Sequence, residues 1–174
     1  MAESWTHELE KWHDFFLLIG TAGVTLTGLL FVVVSLGPGV IARNRASGVR
    51  AFVSPNAVYF TTALVVAAVL LVPALSPMEI GALLCVGALA ALAYLGYTKA
   101  HAQWRQSKLD VLDWIWFVGL PFVAYLLLFF AGAGFLFAVD FSMHAVGLAL
   151  ILLLVIGIRN AWDLVIFISH KQHE

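Results

Sequence analysis

Long uncharged tracts dominate the pattern of apolar and polar positions along the chain. Charged side chains are absent from residues 15–42, 51–78, 80–98, 114–139 and 141–158. A helix needs about 20 predominantly apolar residues to cross the hydrocarbon core of a bilayer, which is about 30 Å thick. The pattern therefore predicts an all-α, polytopic transmembrane bundle in one domain, 1–174, with five spans at about 15–36, 55–75, 80–98, 115–139 and 145–168.

The two ends of the chain add polar residues to this pattern. The uncharged tract of the last predicted span is the shortest, so this span has to include Arg159 and Asp163 to reach the required length. Before the first span, residues 4–14 alternate aromatic or aliphatic positions with charged ones at helical spacing. This spacing predicts an amphipathic helical segment at the membrane interface, with an apolar stripe that includes Trp5 and Trp12.

Composition and charge narrow the classes of partner. The chain is 63% hydrophobic and only 11% charged, whereas soluble domains carry about a quarter charged residues. The net charge of −1 provides no basic excess for nucleic acid, so no nucleic-acid partner is expected. The single cysteine, Cys85, excludes an intrachain disulfide. Membrane lipids are therefore the first expected partners.

The distribution of basic residues predicts the orientation of the spans. Of the nine Lys and Arg residues, only Lys11 falls in the N-terminal tail or in the connections 76–79 and 140–144. The others fall in 37–50, in 99–114 and near the C-terminus. Because short cytoplasmic segments are enriched in basic residues, we expect the N-terminus outside and the C-terminus in the cytoplasm.

A row of small and hydroxylated residues occupies one face of the first span. Successive members are four, three and seven positions apart, which places them on one helical face: Thr21, Thr25, Gly28 and Ser35. In a membrane such a face is typical of close helix packing, which small residues permit. It is also typical of a path for an ion or a small solute, because hydroxyl oxygens replace lost hydration. Both interpretations stay open from the sequence.

A polar cluster lies near the end of the last span, where Arg159, Asn160 and Asp163 put a cation and an anion one turn apart. An unpaired charge at the centre of a membrane helix costs about 2.5–3.5 kcal/mol on insertion scales, which favours a mutually compensating pair. One interpretation is an anchor that reaches lipid phosphates. The other is a gating or solute-recognition pair at the cytoplasmic mouth of a path.

The N-terminal segment also contains candidate metal ligands. His7, Glu10 and His13 are three positions apart and include the Glu-x-x-His step of metal-binding helical bundles. A di-metal site needs a second such step on a facing helix, so we expect these residues to form a solvated face instead. The sequence offers neither a nucleophile with a matching base at midspan nor a phosphate-binding loop. We therefore expect no enzymatic activity, no metal and no cofactor.

Two short segments resemble a known group of proteins. They run from Asp14-Phe15-Phe16 through Thr25-Leu26-Thr27-Gly28-Leu29-Leu30-Phe31 to Ser35-Leu36, and over Arg159-Asn160-Ala161-Trp162-Asp163. Both are similar to segments of small, uncharacterised, multi-pass membrane proteins of bacteria. The resemblance implies a location in the bacterial inner membrane and implies no particular activity.

Two functional hypotheses follow. The first is a small oligomeric channel or transport protein, in which the first span lines a path around a symmetry axis. The second is a non-transporting accessory or regulatory protein that packs against another membrane complex. The discriminating feature is the hydroxyl face of the first span. If this face packs on the other spans of its own chain, no path residue remains on it.

Overall fold

The computed structural model describes residues 2–36, 49–73, 75–101, 114–137 and 141–171, and these residues are helical apart from short turns. The described part contains five α-helices: α1 (Ala2–Leu36), α2 (Val49–Leu71), α3 (Pro77–His101), α4 (Leu120–Leu136) and α5 (Ser142–Lys171). A π-helical turn, Ile115–Gly119, precedes α4 directly. The predicted all-α class is thereby confirmed for the described residues.

Four of these helices are long and apolar enough to cross a membrane, over Trp5–Ser35, Pro77–Tyr97, Ile115–Leu136 and Ser142–Asp163. In α2, which runs over 23 residues from Val49 to Leu71, the side chains that the structure describes form the shorter apolar segment Pro55–Leu71. The chain thus has the helices of a multi-pass integral membrane protein, while a full crossing by the second span stays a prediction. The orientation also stays a prediction, because Arg43, Arg45, Arg105 and Lys108 lie outside the described residues.

The N-terminal segment is not a separate element, because α1 runs without interruption from Ala2 to Leu36. Its apolar stripe packs against the other helices. The indole N–H of Trp5 donates to the carbonyl oxygen of Leu75 at 3.2 Å, and its ring meets Phe135 edge-on at 5.5 Å. Trp12 meets His144 edge-on at 5.0 Å. The stripe identified in the sequence therefore joins α1 to the connection after α2 and to α4 and α5.

Helix α5 lies at the centre of the bundle. It packs against α4 on one side and α2 on the other; α1 then covers α2, and α3 covers α4. Leu150, Leu153 and Ile156 of α5 are fully buried. Helices α1 and α2 are antiparallel, because Gly20 lies against Ala67 while Gly23 lies against Phe60 and Leu64.

Two close contacts set the distance between α3 and α4 and the distance between α2 and α5. At the α3–α4 contact, a Cβ atom added to Gly81 would lie 2.7 Å from the carbonyl oxygen of Gly132. At the α2–α5 contact, the ring of Phe60 occupies the space where a side chain at Gly157 would stand. Small residues allow such close approach of membrane helices. Because α3 is held on α4 and α2 is held on α5, helices α2 and α3 barely touch each other.

Local sequence signals account for two helix starts. Pro121 has no N–H and its ring crowds the preceding turn; the widened turn before it is closed by a bond from the N–H of Leu120 to the oxygen of Ile115. At the start of α3, the backbone N–H and the hydroxyl of Ser76 donate to the Glu79 carboxylate at 2.8 and 2.7 Å. The N–H of Glu79 donates back to the Ser76 hydroxyl at 3.3 Å, which completes a capping box.

Candidate functional site

The predicted hydroxyl face of α1 lies on the outside of the bundle. Thr21, Thr25, Gly28 and Ser35 are all exposed, and a Cβ atom added to Gly28 would meet no described atom within 4 Å. The opposite face of α1, with Gly20 and Gly23, packs on α2 instead. Among the described residues, the chain therefore does not cover the hydroxyl face with its own helices, so this face can still line a path.

The hydroxyl groups of this face are hydrogen-bonded to the backbone of α1, which determines whether they can act as donors or acceptors toward other groups. The hydroxyl of Thr21 donates to the carbonyl oxygen of Leu17, that of Thr25 donates to Thr21, and each distance is 2.8 Å. Ser35 donates to Phe31 at the same distance. This back-bonding satisfies the hydroxyl hydrogens within α1. The oxygen lone pairs remain, so the face presents acceptors to a donor or a cation.

The polar cluster of α5 is held together by contacts within the chain. Arg159 Nε lies 3.7 Å from a carboxylate oxygen of Asp163, and both side chains are about one-third exposed. The Arg159 guanidinium also lies 5.1 Å from the centre of the Trp116 ring, on the π-helical turn. A cation over an indole face gains electrostatic stabilisation. Arg159 is thus held between the π-helical turn before α4 and the next turn of α5.

Asn160 belongs to a second, buried group that the structure reveals. It is 1% exposed, and its amide oxygen has no hydrogen-bond partner among the described residues. Asn56 of α2 is fully buried, and neither its amide oxygen nor its amide nitrogen has a partner there. Asn56 precedes Phe60 by four residues, and Asn160 follows Gly157 by three. Helix α5 runs parallel to α1, because Gly147 lies against Trp12 while Gly157 and Gly23 both lie against Phe60, so α2 and α5 are antiparallel. Both amides therefore lie about one turn beyond the Phe60–Gly157 contact, toward the same end of the bundle.

The candidate metal ligands do not assemble. His7 Nδ1 lies 3.8 Å from a carboxylate oxygen of Glu10, with both side chains largely exposed. His13 is exposed one turn further along. In the described part of the chain, no group of three His, Cys, Asp or Glu side chains is placed to hold a metal ion.

The sequence analysis missed a groove at the middle of the bundle. A cleft of about 460 Å³, here called the midspan groove, lies between α2 and α3 with α4 as its floor. Its lining is apolar except for the hydroxyls of Thr61, Thr62 and Tyr125. The apolar lining includes Leu83, Gly87 and Leu128. Two features of the sequence could have indicated this groove: Tyr125, a tyrosine within a long apolar segment, and the adjacent Thr61 and Thr62 in the second span.

Comparison with known proteins adds no relative to this description. The chain matches no model of a protein family, no curated protein and no solved structure. The fold and the candidate sites therefore have to be interpreted from the residues of this chain.

Proposed function

We propose that the protein is a small channel-type transport protein of the bacterial inner membrane, assembled from several copies of this chain. In this proposal the hydroxyl face of α1, defined by Thr21, Thr25, Gly28 and Ser35, lines the path between protomers. The proposal involves no catalytic reaction and no cofactor. The observation that carries it is the exposure of this face in the single chain.

The interior of the single bundle supports a path between copies over a path through one copy. The centre is filled by large buried side chains, among them Tyr59, Phe60 and Leu153. A solute that sheds its hydration needs polar oxygens along its path. On α1 the hydroxyl oxygens follow one another along the outer face, with their hydrogens bonded back to the helix. Symmetric assembly would bring several such faces around one axis.

Flux through the purified protein in liposomes tests the proposal. K⁺, Na⁺, Cl⁻ and H⁺ gradients are applied in turn, and the wild-type protein is compared with Thr25→Leu and Val24→Leu. Val24 is exposed on the neighbouring face, so its enlargement is the matched control. We expect flux of at least one ion, reduced by Thr25→Leu and retained by Val24→Leu. Equal flux in both variants would overturn the assignment of the path.

Crosslinking tests the assembly independently of flux. In a Cys85→Ala background, a cysteine at Gly28 should form an intermolecular disulfide, because it would lie on the face shared between copies. A cysteine at Val86 is the control, since Val86 is strongly exposed on α3, away from α1. Equal crosslinking at both positions, or none at Gly28, would contradict assembly through this face. If the protein forms the crosslinked oligomer but shows no flux of K⁺, Na⁺, Cl⁻ or H⁺, the proposed transport function is wrong.

The accessory function is the second candidate, and the polar cluster of α5 favours it. Arg159 is engaged by Asp163 and by the Trp116 ring. A cation held by two partners is suited to an anchor at the membrane interface more than to solute recognition. An accessory protein would give no flux and would remain a single copy in mild detergent, so the two assays above also distinguish this candidate.

A further inference from the structure

We propose that the midspan groove binds a membrane-dissolved ligand that has an elongated hydrocarbon body and a ketone-type carbonyl oxygen, such as an alkyl-substituted aryl ketone or a quinone. The carbonyl oxygen would accept a hydrogen bond from the Thr62–Tyr125 hydroxyl pair, and the hydrocarbon body would lie along the apolar walls. The inference does not depend on the transport proposal, since the groove and the hydroxyl face of α1 share no residue.

Helix packing explains why the groove exists. The Gly81–Gly132 contact draws α3 onto α4, and the Phe60–Gly157 contact draws α2 onto α5. None of the described helices then fills the space between α2 and α3. Gly87 enlarges it, because a Cβ atom added there would meet nothing within 4 Å. Its volume of about 460 Å³ lies in the range of pockets that hold small ligands, about 300–1,000 Å³.

The hydroxyl pair supplies the specific polar contact. Thr62 Oγ1 and Tyr125 Oη are 3.1 Å apart, and either can be the donor. Two hydroxyl hydrogens are present and their mutual bond uses one, so the other has no acceptor among the described residues. Unlike the hydroxyls of α1, Thr62 makes no bond back to its own helix. Tyr125 is fully buried and Thr62 is half-buried, so an unused hydroxyl hydrogen in this pair is unfavourable.

The position of the pair selects the chemical class of ligand. Tyr125 lies at the centre of the apolar segment Ile115–Leu136, and Gly87 at the centre of Pro77–Tyr97. The hydroxyl pair is therefore near the middle of the bilayer, about 15 Å from either edge of the hydrocarbon core. A phospholipid has its ester carbonyls near those edges. A ketone or quinone dissolved in the bilayer interior carries its acceptor at the required depth.

The groove is open on the side where such a ligand would arrive. Val65 of α2 and Leu83 of α3 both line it, and about half of each side chain is exposed. The opening lies between two helices and not at the ends of the bundle. A ligand can therefore enter laterally from the lipid, without passing through water.

Photolabelling tests this inference with 4-decylbenzophenone, whose ketone is both the hydrogen-bond acceptor and the photoreactive group. The purified protein is labelled in lipid nanodiscs, and adducts are located by peptide mass spectrometry. We expect adducts on the groove segments of α2, α3 and α4. Labelling distributed evenly over the exposed residues of the bundle would overturn the proposal.

Matched variants test whether labelling occurs in the groove, and competitors test whether the carbonyl group contributes to binding. Gly87→Leu should abolish groove labelling by filling the space, while Gly96→Leu should not, because Gly96 is equally unobstructed but does not line the groove. Tyr125→Phe with Thr62→Val should weaken labelling, whereas Tyr59→Phe, at a buried tyrosine that does not line the groove, should not. An unlabelled dialkyl ketone should compete better than an alkane of equal length; equal competition would refute the carbonyl class.

Discussion

The glycine contact between α3 and α4 predicts that the same substitution, Gly to Ala, has different effects on stability at two positions. A Cβ atom at Gly132 would lie 2.8 Å from the oxygen of Gly81, 0.6 Å short of the 3.4 Å at which ordinary contact begins. It would also lie 2.9 Å from the sulfur of Cys85. Backbone atoms cannot turn away, so Gly132→Ala has to push α3 off α4. At Gly96 an added Cβ meets nothing within 4 Å.

The magnitude follows from two terms. Alanine is favoured over glycine in a helix by about 1 kcal/mol, and both variants gain this term. Overpacking a tight contact costs about 1–3 kcal/mol, and only Gly132→Ala incurs it. We therefore expect Gly96→Ala to be slightly more stable than the wild type, and Gly132→Ala to be about 1–3 kcal/mol less stable than Gly96→Ala. For a chain of this size the difference corresponds to about 2–12 °C in melting temperature.

The single cysteine provides the assay. Cys85 is half-buried at the α3–α4 contact, where its thiol lies 3.6 Å from the carbonyl oxygen of Phe129. A thiol-reactive fluorescent dye therefore reports the separation of these helices on heating in mild detergent. Gly81→Ala, which enters the same contact from α3, should have a similar effect, and the double variant should lose less than the sum. A melting temperature of Gly132→Ala equal to or above that of Gly96→Ala would refute the reasoning.

Three further predictions use the same melting assay. Glu79→Ala should cost about 1 kcal/mol because α3 loses its capping carboxylate, whereas Glu79→Gln keeps an acceptor and should lose less; equal losses would show that charge is decisive. Asn56→Leu should leave the melting temperature unchanged or raise it, since it removes two buried polar atoms that have no partner among the described residues, and a clear decrease would reveal a partner for the amide. Asp163→Asn should cost no more than about 1 kcal/mol, because the Trp116 ring still holds Arg159, and a larger loss would contradict this.

The all-helical class and the extent of most helices could be predicted from the sequence, because charged residues mark the ends of apolar tracts. The last apolar segment, Ser142–Asp163, includes Arg159 and Asp163, as its predicted length required. The second span, predicted to reach residue 75, ends earlier, because Pro73 and the turn beside it end α2 at Leu71.

Helix packing could not be predicted, since every face of an apolar segment is compatible with lipid. Thr21 and Gly20 are adjacent and both belong to the residue types enriched at membrane helix contacts, yet one is exposed and the other lies against Ala67. Periodicity alone does not say which small residue meets a partner helix. For the same reason the midspan groove was not foreseen, because it depends on which pairs of helices touch. Asn56 was overlooked, although an amide in an apolar span is a recognisable signal.

The central position of α5 has a consequence for the biogenesis of the protein. The ribosome makes α1 to α4 before the helix on which α2 and α4 pack exists. Until then the ring of Phe60 on α2, which packs against Gly157 of α5, has no such partner and faces lipid or the insertion machinery. We therefore expect the nascent chain to form the hairpins α1–α2 and α3–α4 first, and the final helix to pack between them.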